Sequence, residues 1–217
     1  MRKRFTDYTT VTPVWKGETC YIVCGGPSFD SLNPELLRGK RVIVINSSYG
    51  KVPWADYLIF ADARWWRKHQ ERIRNCFQGK VVAVSSQAEG KPGELLRLRR
   101  RVPPPHLSDK PDEAIVQLTT TQAAINFAMH LGAARLVLVA LDMQRGAPTK
   151  AEPQGATHHH EPHEWENKPG NGSWNRQLPA LKATAGILRS KGIEVVVVSP
   201  TTRIDWWPVV SRLEDAT

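Results

Sequence analysis

Cysteine is scarce in this chain: Cys20, Cys24 and Cys76 are all there is in 217 residues. Three thiols build no disulfide framework. Cys20-x-x-x-Cys24 lies inside one apolar run, with no second pair to complete a zinc site. Reduced, buried thiols in a cytoplasmic protein are the expectation. Long apolar runs are missing too, and none approaches the ~18 residues of a membrane span. Arg2, Lys3 and Arg4 are followed by no apolar segment, so no secretory signal is legible. Internal repeats are absent, as is a linker separating two domains. Acid is outweighed by base, 21 Asp+Glu against 30 Lys+Arg, which gives a net charge of +9. What remains, 41% hydrophobic and 24% charged, is the balance of a globular protein and excludes a disordered or collagen-like chain.

A positive surplus favours polyanions: nucleic acid, a membrane surface or a phosphorylated substrate. The charge is clustered. Arg97, Arg99, Arg100 and Arg101 crowd into LLRLRRRVPPP, and Arg64, Arg67, Lys68, Arg72 and Arg74 fall in one predicted helix. The first group is the candidate nucleic-acid contact; a solvated basic surface is the plain alternative. Tryptophan is plentiful, with eight. Trp65-Trp66 and Trp206-Trp207 are adjacent, so each pair is expected to divide between core and surface. An exposed Trp beside Arg suits a base or a sugar ring.

Apolar runs and helical segments alternate along the chain. Strands are predicted over 19–24, 41–46, 57–62, 80–85, 135–141 and 194–199. Helices are predicted over 31–37, 65–77, 119–131 and 174–190. The stretch 87–111, rich in Arg and Pro, reads as an excursion outside the core, and 146–172 as a polar loop holding four of the seven histidines. Unbroken Val/Ile runs mark strands buried on both faces, and helices between them mark parallel crossovers. The whole chain, 1–217, therefore reads as one α/β domain: a doubly wound, Rossmann-like, mainly parallel sheet of about six strands, with helices on both faces and a core over about 19–200.

Such sheets bind ligands beyond the carboxyl ends of their strands, and these ends carry distinctive residues. The first is followed by Gly25-Gly26-Pro27-Ser28, where backbone can approach a ligand and a following helix start favours phosphate; an ordinary β-to-α turn is the alternative. Asn46 and Ser47 end the second strand, where an amide can read a base or ribose, or simply cap a turn. Asp62, a candidate cofactor contact like Ser47, ends the third, and Asp142, a catalytic candidate, follows the fifth. Thr119-Thr120-Thr121 offers hydroxyls and a helix cap. The densest feature is Thr157-His158-His159-His160-Glu161-Pro162-His163-Glu164. Histidine there can act as a base near neutral pH. With Glu it can bind a metal, though the spacing fits no standard zinc site. It can also be ordinary loop polarity.

Taken in order, GGPSFDSL, VIVINSSY, DYLIFAD, TTTQAAINFAMHLGAARLVLVALDM, a His-bearing loop and GIEVVVVSP resemble the bacterial CMP-sialic acid sialyltransferases. They also resemble the wider family that includes motility-accessory-factor glycosyltransferases and hydroxymethylpterin pyrophosphokinases. The likeness spans most of 19–215 and is nearest to short phage-encoded members with a T-H-x-H-x-x-H loop, met here by Thr157, His158, His160 and His163. It implies that Gly25, Gly26, Pro27, Ser28, Asn46, Thr119, Thr120 and Thr121 hold a donor nucleotide. It implies that His158, His160 or His163 is the general base. The family's G-x-D turn reads Ala140-Leu141-Asp142 here, so the glycine is lost and Asp142 kept, and the sialyltransferases' C-terminal membrane-associating extension is missing. The expectation is an inverting glycosyltransferase using a nucleotide-sugar, with no required metal, although Asp62 and Asp142 leave room for a divalent ion. The charge suggests DNA bearing hydroxymethylated pyrimidines as acceptor. An ATP- and Mg-dependent pyrophosphokinase acting on a pterin-like alcohol and a non-enzymatic phage DNA-binding or assembly protein are the other readings.

Overall fold

The computed structural model describes residues 5–150, 152–160 and 172–216. Eight strands form one sheet in which every pairing is parallel. In chain order they are β1 (Thr19–Val23), β2 (Arg41–Ile45), β3 (Tyr57–Phe60), β4 (Lys80–Ala83), β5 (Leu95–Arg97), β8 (Arg135–Val139), β9 (Glu194–Val198) and β10 (Val209–Val210). Two short strands, β6 (Arg99–Arg101) and β7 (Glu113–Ile115), pair separately. Three α-helices are described: α1 (Ala63–Cys76), α2 (Thr120–His130) and α3 (Gly172–Ser190).

The sheet order is β10-β9-β8-β1-β2-β3-β4-β5. From β1 the chain winds outward through β2 to β5. It then returns to the other side of β1 with β8 and winds outward again. Ile22 is flanked by Ile43 on one side and Leu138 on the other. Because the winding reverses at β1, the crossovers on either side diverge, leaving a crevice beyond its carboxyl end.

Side-chain alternation fills both faces. Cys20, Ile22, Ile43 and Leu138 join one buried cluster with Ala124, Ile125 and Phe127 of α2 and Leu181 of α3. Tyr21, Val23, Val44 and Val139 join the opposite cluster with Trp65, Trp66 and Ile73 of α1. Each fully buried Val, Leu or Ile contributes about 2 kcal/mol. α2 is buried from Thr121 through Ala128 without a break, as a helix enclosed on all sides must be. α1 is amphipathic, with its arginines outward.

Several sequence expectations change here. The segment predicted as a helix over 31–37 forms two 3-10 turns, Pro27–Ser31 and Pro34–Leu37, because each proline starts a turn that the next few residues do not continue. The excursion over 87–111 is partly core: β5 extends the sheet edge, and Leu98 and Leu107 are buried. The sheet accordingly has eight strands rather than six, β5 and the two-residue β10 being the additions. Trp65 and Trp66 do not divide between core and surface; both are buried. Trp66 stacks on Phe60 at 5.0 Å, and Trp65 meets Tyr49 edge-on at 6.2 Å. Trp207 is buried and Trp206 half-buried. Cys20 and Cys24 are buried as expected, but Cys76 is exposed.

Candidate functional site

The turns after β1, β2, β3 and β8 enclose a cavity of about 310 Å3, together with the start of α2, the His-bearing loop and the first turn of α3. Residues from six separate stretches of sequence, besides α3, meet there. Gly25 and Gly26 come from the first turn, Asn46 from the second and Asp62 from the third. Thr119, Thr120 and Thr121 come from α2, Asp142 from the β8 turn, and His158 and His160 from the loop.

The β1 turn is bound tightly to the β8 turn. Gly26 N–H donates to Ala140 O at 3.0 Å. A β-carbon on Gly26 would collide with Ala140 O and would stand 2.5 Å from Asp142 Cγ. The absent side chain thus admits the Asp142 carboxylate. Pro27 opens the following 3-10 turn, where its missing N–H costs nothing. Ser28 donates to Asp142 through both its N–H (2.7 Å) and its hydroxyl (2.5 Å). Ser199, beyond β9, donates to the same carboxylate at 2.7 Å. Asp142 therefore fastens three strand ends together. Burial pushes its carboxyl pKa above the ordinary range, against the opposing pull of the Ser28 and Ser199 hydrogen bonds. With 1% of its surface exposed, it is a brace at the cavity wall.

The β2 turn carries Asn46 into the cavity with a left-handed backbone (φ 48°). Ser47, by contrast, accepts from the Trp65 indole at 3.1 Å and does not line the cavity. Asp62 caps α1, accepting from Arg64 N–H at 2.7 Å, and pairs with the Arg64 guanidinium at 2.9 Å. Burial raises its carboxyl pKa, but the Arg64 hydrogen bonds and charge outweigh this and hold it below the ordinary value. Thr119 caps α2, accepting from Thr121 N–H at 3.2 Å. Cys24 also lines the cavity. Burial pushes its thiol up to about 12, against a hydrogen bond to Thr121 that lowers it, so it stays protonated and unreactive.

The His loop alternates. His158 and His160 stack at 4.8 Å and line the cavity, both half-buried. A β-carbon on Gly25 would come within 3.1 Å of His158 Cδ2, so this glycine lets the imidazole approach the backbone. His159 points the other way, into the protein, and sequence reasoning missed it. Its N–H donates to Gly25 O at 3.2 Å. Its Nε2 lies 3.0 Å from Ser48 Oγ, which itself donates to Cys24 O at 3.1 Å. Phe29 covers its ring at 5.0 Å. Burial, then neighbouring His160, pushes the imidazole down to about 4. His159 is thus a neutral anchor that holds its two neighbours in the cavity. His163 lies outside the described residues.

Backbone strain gathers at the same place. Among the described residues, the non-glycine positions with positive φ are Asn46, Leu118 (65°), Ala140 (54°) and Met143 (55°). All four line the cavity. Asparagine adopts this conformation readily; leucine, alanine and methionine do so at a cost of order 1–3 kcal/mol each. Strain that persists is held by its surroundings and concentrates at functional sites. Leu118, Gln144, Trp174 and Gln177 are further lining residues that the sequence did not single out.

The expected basic contact divides. Arg97 is buried: its Nη1 donates to Ala88 O at 2.7 Å and its guanidinium lies 3.9 Å over the Phe5 ring. It is unavailable to a polyanion, because the alternation of β5 turns it inward. Arg99, Arg100 and Arg101 are exposed on β6. Arg99 approaches Asp112 at 3.7 Å and covers Tyr8, and Arg101 approaches Glu113 at 3.5 Å. Among the described cavity-lining residues none is Arg or Lys. No described helix is long and apolar enough to cross a membrane.

The fold resembles that of the monofunctional α-2,3-sialyltransferase Cst-I of Campylobacter jejuni, with a TM-score of 0.55 at 12% identity, covering 89% of this chain and 80% of that one. No protein-family model matches the sequence, and no curated protein matches it.

Proposed function

We propose that the chain is a nucleotide-sugar-dependent glycosyltransferase and that the cavity beyond β1, β2, β3 and β8 is its donor site. One observation carries the reading: two histidines share a cavity with a glycine turn, Asn46 and the amide end of α2, in a fold like that of a sialyltransferase. Asn46 suits the base or ribose. The hydroxyls of Thr119, Thr120 and Thr121 and the α2 N-terminus suit a phosphate. With no described Arg or Lys on the lining, these groups supply the stabilisation of the leaving phosphate.

The chemistry balances as a single displacement. A neutral imidazole of His158 or His160 accepts the proton of an acceptor hydroxyl; His163 stays a candidate from the sequence. The acceptor oxygen bonds to the anomeric carbon as the bond from that carbon to the phosphate oxygen breaks. The nucleotide leaves with the electron pair, and its developing charge meets the α2 amides, while the proton stays on the imidazole on the acceptor side. His159 keeps the pair in place. DNA carrying hydroxymethylated pyrimidines is the proposed acceptor, supported by the net charge of +9 and the exposed Arg99, Arg100 and Arg101. A DNA acceptor requires an affinity that falls steeply with salt.

The test is thermal shift against CMP, UDP, GDP, ADP and ATP, each with and without Mg2+. A ligand at 100 times its dissociation constant stabilises by about 2.7 kcal/mol. Stabilisation by a nucleoside mono- or diphosphate without metal is expected, and it should vanish in Asn46→Ala. Stabilisation by ATP with Mg2+ alone would replace this reading with the pyrophosphokinase, and no response to any nucleotide would overturn it.

A further inference from the structure

Leu118 is both strained and exposed. It holds a left-handed backbone at φ 65° while 51% of its surface faces solvent. Burial of the side chain therefore does not offset the strain. Glycine would adopt this conformation freely, yet the chain carries leucine. The backbone is held through Leu118 O and through the residues on either side of it. Gln177 Nε2 donates to Leu118 O at 2.8 Å. Gln117 N–H donates to Gln122 Oε1 at 2.9 Å, and Thr119 caps α2 one residue later. The other exposed large hydrophobics, Val14, Val102 and Val209, do not line the cavity; Leu118 does. So does half-buried Trp174, three residues before Gln177 in the first turn of α3 and on the same side of that helix.

We infer that Leu118 and Trp174 form the acceptor subsite, an apolar rim against which the second substrate lays the face of a ring. This rests on the glycosyltransferase reading above. A donor seated between the glycine turn and the α2 amides uses the polar lining. This rim, exposed at Leu118 and half-buried at Trp174 where the indole also packs on the core, is what a second substrate meets on entering, and its chemistry selects a ring with an apolar face: a pyrimidine base or the C–H face of a pyranose. Trp174 suits either, by stacking. Gln177 acts through Leu118 and is a positioning residue.

The experiment compares wild type with L118G, L118A and W174A in two titrations. One uses CMP, or whichever nucleotide stabilises the wild type most. The other adds, at nucleotide saturation, 5-hydroxymethyl-2′-deoxycytidine or methyl β-galactopyranoside, which separate base from pyranose. L118G should melt at or above the wild-type temperature, because glycine relieves the strain. It should bind nucleotide within twofold of wild type and lose at least fivefold in affinity for the preferred ring probe. L118A and W174A should lose ring affinity likewise. A fall in nucleotide affinity matching the fall for the ring probe would place the rim in the donor site and overturn the assignment. So would a clearly lowered melting temperature in L118G, or equal affinity of wild type and variants for both probes, absence of binding included. If no nucleotide binds, the glycosyltransferase reading fails by itself, and the ring titrations are read without nucleotide.

Discussion

Acidification should unfasten the His loop, and the size of the effect follows from His159. Its imidazole is buried among Phe29, Ser48 and the Gly25 backbone, and its pKa is pushed from 6.5 down to about 4. The folded state therefore favours the neutral ring, whereas the unfolded chain takes up a proton near 6.5. Between those values the unfolded state binds more protons, so stability rises with pH. The contribution is complete above about pH 6.5 and is lost progressively as pH falls toward 4. The gap corresponds to about 3 kcal/mol, or roughly 6–12 °C in melting temperature for a chain of this size. Among charged and titratable neighbours, His160 and Lys51 reinforce the depression and Asp30 opposes it. The perturbation is H159F, which keeps a ring against Phe29 and removes the titration. Urea melts of wild type and variant at pH 7.5 and 4.5 isolate the term, because His130 and Asp142, themselves shifted by burial, are common to both. Wild type should lose about 2–3 kcal/mol more than H159F over that interval. Equal losses would refute the reasoning, since the buried imidazole would then carry no linkage to folding.

Three further outcomes are expected. G26A should destabilise by about 3 kcal/mol, because its β-carbon meets backbone and a fixed carboxylate, whereas G186A, which meets nothing within 4 Å in α3, should stabilise by up to about 1 kcal/mol; thermal melts of the pair decide. D142N should cost about 2–4 kcal/mol in chemical denaturation, since an amide nitrogen cannot accept from the Ser28 and Ser199 donors that converge on the carboxylate. R97A should lower stability by about 2 kcal/mol by emptying the space over Phe5, yet leave the salt dependence of DNA binding unchanged, while R100A should reduce that slope by about one ion; binding isotherms at several salt concentrations separate the two.

The parts of the fold that could be read in advance are those where composition and position say the same thing. VIVI, RLVLV and EVVVV form strands of the sheet, and their β-branched content and short length between turn residues favour that placement. Leu95–Arg97 and Val209–Val210 stayed hidden because two or three residues carry no period, and an arginine inside a strand looks like surface. The same ambiguity misassigned Arg97: a cluster of arginines reports total charge, while the alternation of one short strand decides which guanidinium turns inward. The cavity residues were legible because parallel sheets present ligands at strand ends, so Gly25, Asn46, Asp62 and Thr119 could be named from position alone. Leu118, Trp174 and His159 could not. The first owes its place to a backbone angle, the second to where α3 starts, and the third to a hydroxyl in the 3-10 turn after β2, more than a hundred residues earlier.

The brace at Asp142 also bears on how the protein assembles. Ser28 and Asp142 are 114 residues apart in sequence, and Ser48 and His159 are 111 apart. Neither contact can form until β8 has returned to pair with β1, a closure that spends chain entropy before any contact rewards it. The first winding, β1 to β5, therefore contributes only half of the cavity wall. Ligand binding should arise late in folding and disappear early in unfolding, so the appearance of nucleotide affinity during refolding would time the moment when the two windings of the sheet join.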